Sequence, residues 1–240
     1  MVCPRGHSFD VARSGYINLL QPQDRRSRRP GDTREALAGR QRLHELGVTR
    51  PLLDAIAELA APTWQDIVLD AGCGDGFYLG NLAARAGCGA RGVDISVAAI
   101  DAAARCYPKC EWTVANADRF LPYADGSFSL VLSITARMNA VEFRRVLGDD
   151  GRLLVALPAP GDLVELRGSG RDRTARTVAA FAPDFTLVEQ RRATATAGLD
   201  ADGVRDVLHS IYRPLRSRPA GSMRVTFSLD LLLFRANRRA

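Results

Sequence analysis

The sequence predicts an α/β fold: a seven-stranded, mostly parallel sheet that ends in an antiparallel hairpin, with helices on both faces. Three observations predict it. From residue 66 onward, short apolar runs alternate with amphipathic stretches. That beat is the signature of parallel strands joined by helical crossovers, which should be right-handed. A glycine-rich turn, GCGDG at 72–76, separates the first such strand from its helix. The last two apolar segments, 185–193 and 222–234, leave no room for a parallel crossover between them, so they pair antiparallel at the sheet edge.

Taken in order, residues 1–32 read as irregular and hold Cys3, His7, Tyr16 and the polar run QPQDRRSRRPGD. Asp32 or Thr33 can cap a helix over 34–46, with Glu35 in its first turn. A second helix spans 50–61, where Leu52, Leu53, Ile56, Leu59 and Ala60 repeat at helical spacing and Pro51 suits the first turn. Strands follow at 67–72, 90–94, 111–115, 127–134 and 151–158, with helices at 76–86, 96–106 and 139–146. After 160 a helix covers 161–167, a strand 185–193, a helix 200–209 and a strand 222–234. In the last of these, Met223, Val225, Phe227, Leu229 and Leu231 fall on one face.

The 240 residues suffice for one large domain with a small appendage, and 46% apolar with 25% charged residues is ordinary for a globular chain. No run of eighteen apolar residues and no charged-then-apolar leader occurs, so no membrane span or signal peptide is expected and the location is read as cytoplasmic. Cys3, Cys73, Cys88, Cys106 and Cys110 are scattered and odd in number, which argues against a disulfide framework. The net charge of +6 rests almost wholly on arginine, Lys109 being the single lysine. Arg25, Arg26, Arg28 and Arg29 cluster, and Arg167, Arg171, Arg173 and Arg176 form a looser group; both suit a polyanionic partner, although a charge run is most often a solvated face.

The stretch VLDAGCGDGFY (68–78) carries the chemistry. Asp70 ends an apolar strand, Gly72, Gly74 and Gly76 follow at alternate positions, and a helix begins at once. Glycines allow a tight turn and close approach of a ligand, and the helix start offers free N–H groups. The spacing is not the G-x-G-x-x-G of dinucleotide binders. Asp94 closes the second strand about twenty residues further on, where an acid can hold a ribose diol. The third strand runs into Ala115-Asn116-Ala117-Asp118, suited to an adenine edge.

These pieces resemble the class I S-adenosylmethionine-dependent methyltransferases, whose Rossmann-like fold also ends in an antiparallel hairpin. The resemblance implies that Asp70 faces the methionine amino group of the cofactor and Asp94 its ribose. The N-terminal third narrows this. C-P-x-x-H-x-F-D, G-Y-x-N-L-L, R-S-x-x-P-G-D and a helix ending G-x-x-x-P-L occur in order over some fifty residues. They resemble the bacterial 23S rRNA guanine-N1-methyltransferases, some of which give resistance to tylosin-type macrolides. GCGDGFY, GVDIS, Arg145-Val146-Leu147 and LPAPGDLVELRG (157–168) extend the likeness. It implies cofactor contacts at Thr49, Asp70, Gly72, Gly74, Gly76, Tyr78, Leu79, Asp94, Ile95, Asn116, Ala117 and Asp162, and RNA contacts at Arg25, Arg26, Arg28 and Arg29.

In that family a four-ligand zinc site precedes the methyltransferase domain, and Cys3 and His7 match its second ligand pair. Two ligands alone do not close a structural zinc site. Residues 1–32 are therefore expected to be a remnant zinc-binding and RNA-contact segment, 33–62 a helical lead-in and 63–240 the methyltransferase domain, with zinc uncertain. Either the start lies upstream or the zinc was lost. The expected partners are 23S rRNA and, as an open alternative, a second copy of the chain; no membrane is implied.

Departures from the family fall on the acceptor side. The segment after the fourth strand reads SITARMNA, with Thr135 and Arg137 in place of an aromatic residue and a proline. Thr49 stands where the family has Tyr, Asp162 where it has His, and Asp149-Asp150-Gly151 where it has Pro-Gly-Gly. No general base for the guanine N1 proton is legible. His44 and His209 read as helix-surface residues, and Cys106 and Cys110 as packing. The alternatives are a methyltransferase retargeted to a small molecule in antibiotic biosynthesis, or a decayed relative that binds cofactor or RNA without turnover.

Overall fold

The computed structural model describes residues 9, 11–20, 31–210, 219 and 221–238. Cys3, His7 and the Arg25–Arg29 cluster lie outside the described residues. The strands are β1 (Ile17–Asn18), β2 (Ile67–Ala71), β3 (Gly89–Asp94), β4 (Glu111–Val114), β5 (Phe128–Ile134), β6 (Leu147–Pro158), β7 (Phe185–Leu199) and β8 (Met223–Ala236). The helices are α1 (Arg34–Glu45), α2 (Arg50–Ala60), α3 (Phe77–Ala86), α4 (Val97–Cys106), α5 (Ala140–Val146), α6 (Val164–Arg167), α7 (Thr174–Phe181) and α8 (Ala201–His209).

All eight strands form one sheet in the order β1-β4-β3-β2-β5-β6-β8-β7. The pairs from β1 to β6 are parallel, and β8 runs antiparallel to both β6 and β7. The expected terminal antiparallel pair is present. The expected strand count of seven needs correcting to eight, because Ile17–Asn18 adds an edge strand beside Thr113–Val114. A two-residue strand is too short to show alternation, so periodicity had no purchase on it. Three further differences are smaller. The helix read over 161–167 is a single turn at 164–167, helix α7 arises in the Arg-rich stretch, and β7 continues to Leu199.

Helix starts follow their capping residues. Thr33 accepts from the Ala36 N–H, Ser96 from Ala99, Asn139 from Glu142 and Asp200 from Gly203. The sheet separates two apolar layers. Leu53, Ile56, Leu79, Ile100, Trp112 and Leu132 pack on one face; Leu69, Val131, Phe143, Phe181, Phe185 and Phe234 pack on the other. Each such fully buried side chain contributes about 2 kcal/mol. Helix α1 sits apart from this sandwich. One flank of it rests on α8, where Gly39 brings the backbones close and Arg42 grips Asp206 through two bonds of 2.8 and 2.5 Å. No helix among the described residues is long and apolar enough to cross a membrane.

The chain leaves β2 toward β3 and β4 on one side, then returns to β5 and β6 on the other. The order therefore reverses at the β2–β5 pair, and ligands of open α/β sheets sit outside the carboxyl ends of strands at such a point. A shallow depression lined by Gln65, Ile67, Gly126 and Asp149 lies at the opposite, amino end of these strands.

Candidate active site

The loop after β2 is held open by its own backbone. Gly72 and Cys73 donate to the Val93 carbonyl at 2.8 and 3.2 Å, tying the loop to β3. Gly72 and Gly76 have φ of 89° and 77°, conformations that favour glycine. A Cβ on Gly72 would lie 2.5 Å from the Ala136 Cβ, and one on Gly76 would strike the Trp112 ring, so side chains are excluded twice over.

Acids surround this loop. Both Asp94 oxygens are engaged: Oδ2 accepts from Gly74 N at 2.9 Å and Oδ1 from Ser96 N at 2.8 Å. Burial still raises its pKa against these two bonds. Asp70 is 1% exposed and its Oδ1 has no partner. Burial, then the neighbouring charges of Asp94 and Asp75, push its carboxyl up to about 8. Asp75 accepts from Phe77 N at 3.3 Å through Oδ1, while Oδ2 is buried without a partner; burial raises its pKa and the Arg40 charge opposes the rise. On the adjacent strand β5, the buried Ser133 hydroxyl is also unpartnered.

Helix α1 closes the site from above. Arg40 pairs with Asp32 at 2.8 Å, and its Nη1 would lie 3.3 Å from a Cβ placed on Gly74. His44, read from the sequence as a surface residue, is buried instead. Its ring stacks on Phe77 with centroids 3.7 Å apart and planes within 2°, and Nδ1 lies 2.6 Å from the Thr49 hydroxyl. Nε2 is unpartnered, 3.8 Å from Asp75 Oδ2. Burial, aided by the Arg40 charge, drops its pKa to about 3, so the ring is neutral at physiological pH. His209 is exposed, as its place on a helix end suggested.

Of the residues singled out in the sequence, Asp70, Gly72, Gly74, Gly76 and Asp94 converge on this loop. Thr49 reaches it through His44, and Tyr78 meets the edges of His44 and Phe77. Asp162 is tied to β8 by Ser228 N at 3.0 Å, with Arg167 at 3.9 Å, and its charge is felt at Tyr78. Leu79 is fully buried, so its side chain belongs to the core, and Ile95 packs half-buried against the same layer. Asn116 Oδ1 accepts from Asp118 N at 3.1 Å, shaping the turn that begins before Ala117. Beyond β5, Thr135 takes a φ of 52° and Arg137 lies 3.4 Å from Asp118, so the departures noted in SITARMNA form the rim beside Gly72. The four described cysteines are free thiols. Arg40 and His44 are the residues that sequence reasoning missed; their i, i+4 spacing gives a shared face, and only the docking of α1 shows what that face meets.

The arrangement suits S-adenosylmethionine. A buried acid without a partner calls for a cation, and the cofactor carries an ammonium. Asp94 retains lone pairs for ribose hydroxyls. At Gly72, Gly74 and Gly76 the loop has no side chain to obstruct a ligand.

Comparison with known proteins agrees. A methyltransferase-domain family profile matches residues 68–154, and a profile for the RlmA N-terminal zinc ribbon matches residues 1–28. The chain is 34% identical over 218 residues to the 23S rRNA (guanine(748)-N(1))-methyltransferase of Streptomyces fradiae, covering 86% of this chain and 76% of that one. It is 37% identical over 181 residues to a Micromonospora griseorubida protein provisionally named as a 23S rRNA (guanine-N(1)-)-methyltransferase, covering 68% of this chain and 60% of that one. The matched stretch thus falls short of two thirds of the latter's length. Among solved structures, a chain from the complex of the Haloferax volcanii Trm112 methyltransferase activator with a methyltransferase aligns with a TM-score of 0.60 at 21% identity. That alignment covers 86% of this chain and 96% of that one, and it supports the fold alone.

Proposed function

The chain belongs to the 23S rRNA (guanine-N1-)-methyltransferase family, and on that premise we propose that it moves a methyl group from S-adenosylmethionine to N1 of a guanine in a hairpin loop of 23S rRNA. The observation that carries the reading is the glycine loop at the switch point of the sheet, flanked by the orphaned Asp70 and the loop-bridging Asp94. When bound, the cofactor supplies an electrophilic methyl on a sulfonium. The protein's work is then to hold the acceptor in line behind that methyl and to keep water out.

Asp70 would take the cofactor's ammonium and Asp94 its ribose hydroxyls. Ile95, Asn116 and Ala117 would lie along the adenine, and Thr49, Tyr78 and Asp162 would contact the rest of the cofactor. The acceptor guanine would enter past the rim of Thr135, Ala136 and Arg137. An unpaired base displayed in a loop is the usual target of sequence-specific RNA readers. Phosphate contacts would come from Arg25, Arg26, Arg28 and Arg29. Arg171, Arg173 and Arg176 would add to them: all three are exposed and, among the described residues, have no ion-pair partner. Zinc would need ligands in addition to Cys3 and His7. The protein would act in the cytoplasm, where its substrate is.

The test is methyl transfer from labelled cofactor to protein-free 23S rRNA, followed by reverse transcription. A methyl on guanine N1 blocks the pairing edge, so the expected result is label together with one new stop, next to a loop guanine. Cofactor binding without label on any rRNA would contradict the reading and favour a small-molecule acceptor. Raising the salt from 50 to 200 mM should weaken RNA binding steeply, and replacing Arg25, Arg26, Arg28 and Arg29 with Gln should flatten that dependence by roughly 0.7 in log–log slope per lost contact. If the modified loop is a macrolide site, deleting the gene lowers the inhibitory concentration of that drug class; an unchanged value assigns the methyl to ribosome function instead.

A further inference from the structure

Helix α1 is the part of the site that the methyltransferase core does not explain. Arg40 and His44 lie one turn apart on it, on the flank opposite α8 and facing the glycine loop. Arg40 pairs with Asp32, and its charge is felt at Asp75, Asp94, Tyr78 and His44. His44 and Asp75 are each more than nine-tenths buried, at 9% and 6% side-chain exposure, and each turns one polar atom without a partner toward the other. A closed hydrogen bond would need about 3 Å, and their separation is 3.8 Å. Around the glycines, the described residues therefore place the unpartnered oxygens of Asp70 and Asp75 and the guanidinium of Arg40. That is the complement of an α-amino acid zwitterion: an ammonium for the acids and a carboxylate for the guanidinium.

We infer that helix α1 holds the amino-acid end of the cofactor, with Arg40 receiving the α-carboxylate and His44 acting as a positioning residue that seats Asp75 beside the ammonium. The inference rests on the reading of the glycine loop as an S-adenosylmethionine site. The facing carboxylate of Asp75 selects the tautomer with hydrogen on His44 Nε2. Nδ1 then accepts from the Thr49 hydroxyl, and the flat stack on Phe77 fixes the ring plane. Arg40 is held over Gly74 by its bond to Asp32, which is itself anchored where the Ser96 hydroxyl meets the Asp32 carbonyl at 3.5 Å. A guanidinium meets a carboxylate through N–H groups held in a fixed fork.

The test compares two ligands by calorimetry. S-adenosylhomocysteine carries the amino-acid end; 5′-methylthioadenosine lacks it and keeps the nucleoside. Arg40→Gln should weaken S-adenosylhomocysteine on the order of tenfold to a hundredfold, the range for loss of a charged hydrogen bond, while methylthioadenosine binding stays within a factor of two or so of wild type. Arg40→Lys should recover part of the loss, since it keeps the charge without the fork. His44→Leu should give a smaller loss, about fivefold, with the same ligand selectivity. Equal loss of both ligands would assign Arg40 a purely structural role and overturn the inference, as would no loss of either. Wild-type protein that binds neither ligand would overturn the cofactor reading itself, a result distinct from the other two.

Discussion

Asp66 and Asp70 lie four residues apart, at the two ends of β2, and their surroundings are opposite. Asp66 is saturated: Thr63 N, the Thr63 and Ser129 hydroxyls and Arg152 Nη2, which spans both carboxylate oxygens, donate to it at 2.6 to 3.1 Å. Burial pushes its pKa up, but these bonds outweigh burial and hold it below the usual carboxylate range. Arg152 also reaches the Ala60 carbonyl, so the cluster fastens the end of α2 to the sheet. Asp70 is more deeply buried, has an oxygen with no partner and is pushed up to about 8. A chain that can satisfy one aspartate so fully leaves the other unsatisfied only where a ligand completes it. The amino end of the strand is built for stability, and the carboxyl end stores an electrostatic cost for binding.

The sharpest way to break this contrast is to neutralise each acid. Asp70→Asn should cost on the order of a hundredfold in S-adenosylmethionine affinity, read by calorimetry, because the ammonium loses a charged partner. The same substitution should raise the melting temperature of the ligand-free protein at pH 8, since a buried charge is removed. Arg152→Ala should do the reverse: about 2 kcal/mol lost in urea unfolding, from removing the charged hydrogen bonds to Asp66, with cofactor affinity nearly unchanged.

The two acids also predict opposite pH responses. Asp66 has a depressed pKa, so its stabilisation is present above the unfolded value and is lost as pH falls through its folded value. Asp70 has a raised pKa, so folding is penalised progressively as pH rises from about 4 toward its folded value near 8. Cofactor binding needs Asp70 ionised. Affinity should therefore climb by about tenfold per pH unit below pH 8 and level off above it, and Asp70→Asn should flatten the curve.

The smallest expected effect is at Ser96, which caps α4 through Ala99 N at 3.3 Å beneath Gly31. Ser96→Ala should cost about 1 kcal/mol in stability and change cofactor affinity by no more than a few-fold.

Much of this was legible in the chain itself. The strand–helix beat gave the parallel sheet, and Asp70, Gly72, Gly74, Gly76 and Asp94 were identifiable because a glycine-rich turn after one strand-end acid, with a second acid closing the next strand, is a pattern with a local cause. His44 was not legible. Its neighbours on α1 alternate between core and solvent, and the side on which it falls depends on how α1 docks between α8 and the glycine loop. Arg40 was hidden for the same reason, as one arginine among many. Strand β1 escaped because two residues carry no period, and α7 because TARTVAAF follows an Arg- and Gly-containing stretch without a side-chain cap.

The central claim is that the glycine loop keeps Asp70 protonated until the cofactor's ammonium arrives. Calorimetry of S-adenosylmethionine binding at pH 7, repeated in buffers of different ionisation enthalpy, counts the protons exchanged. The account predicts release of close to one proton per cofactor bound, abolished in Asp70→Asn. Binding with no proton release in the wild-type protein would contradict it.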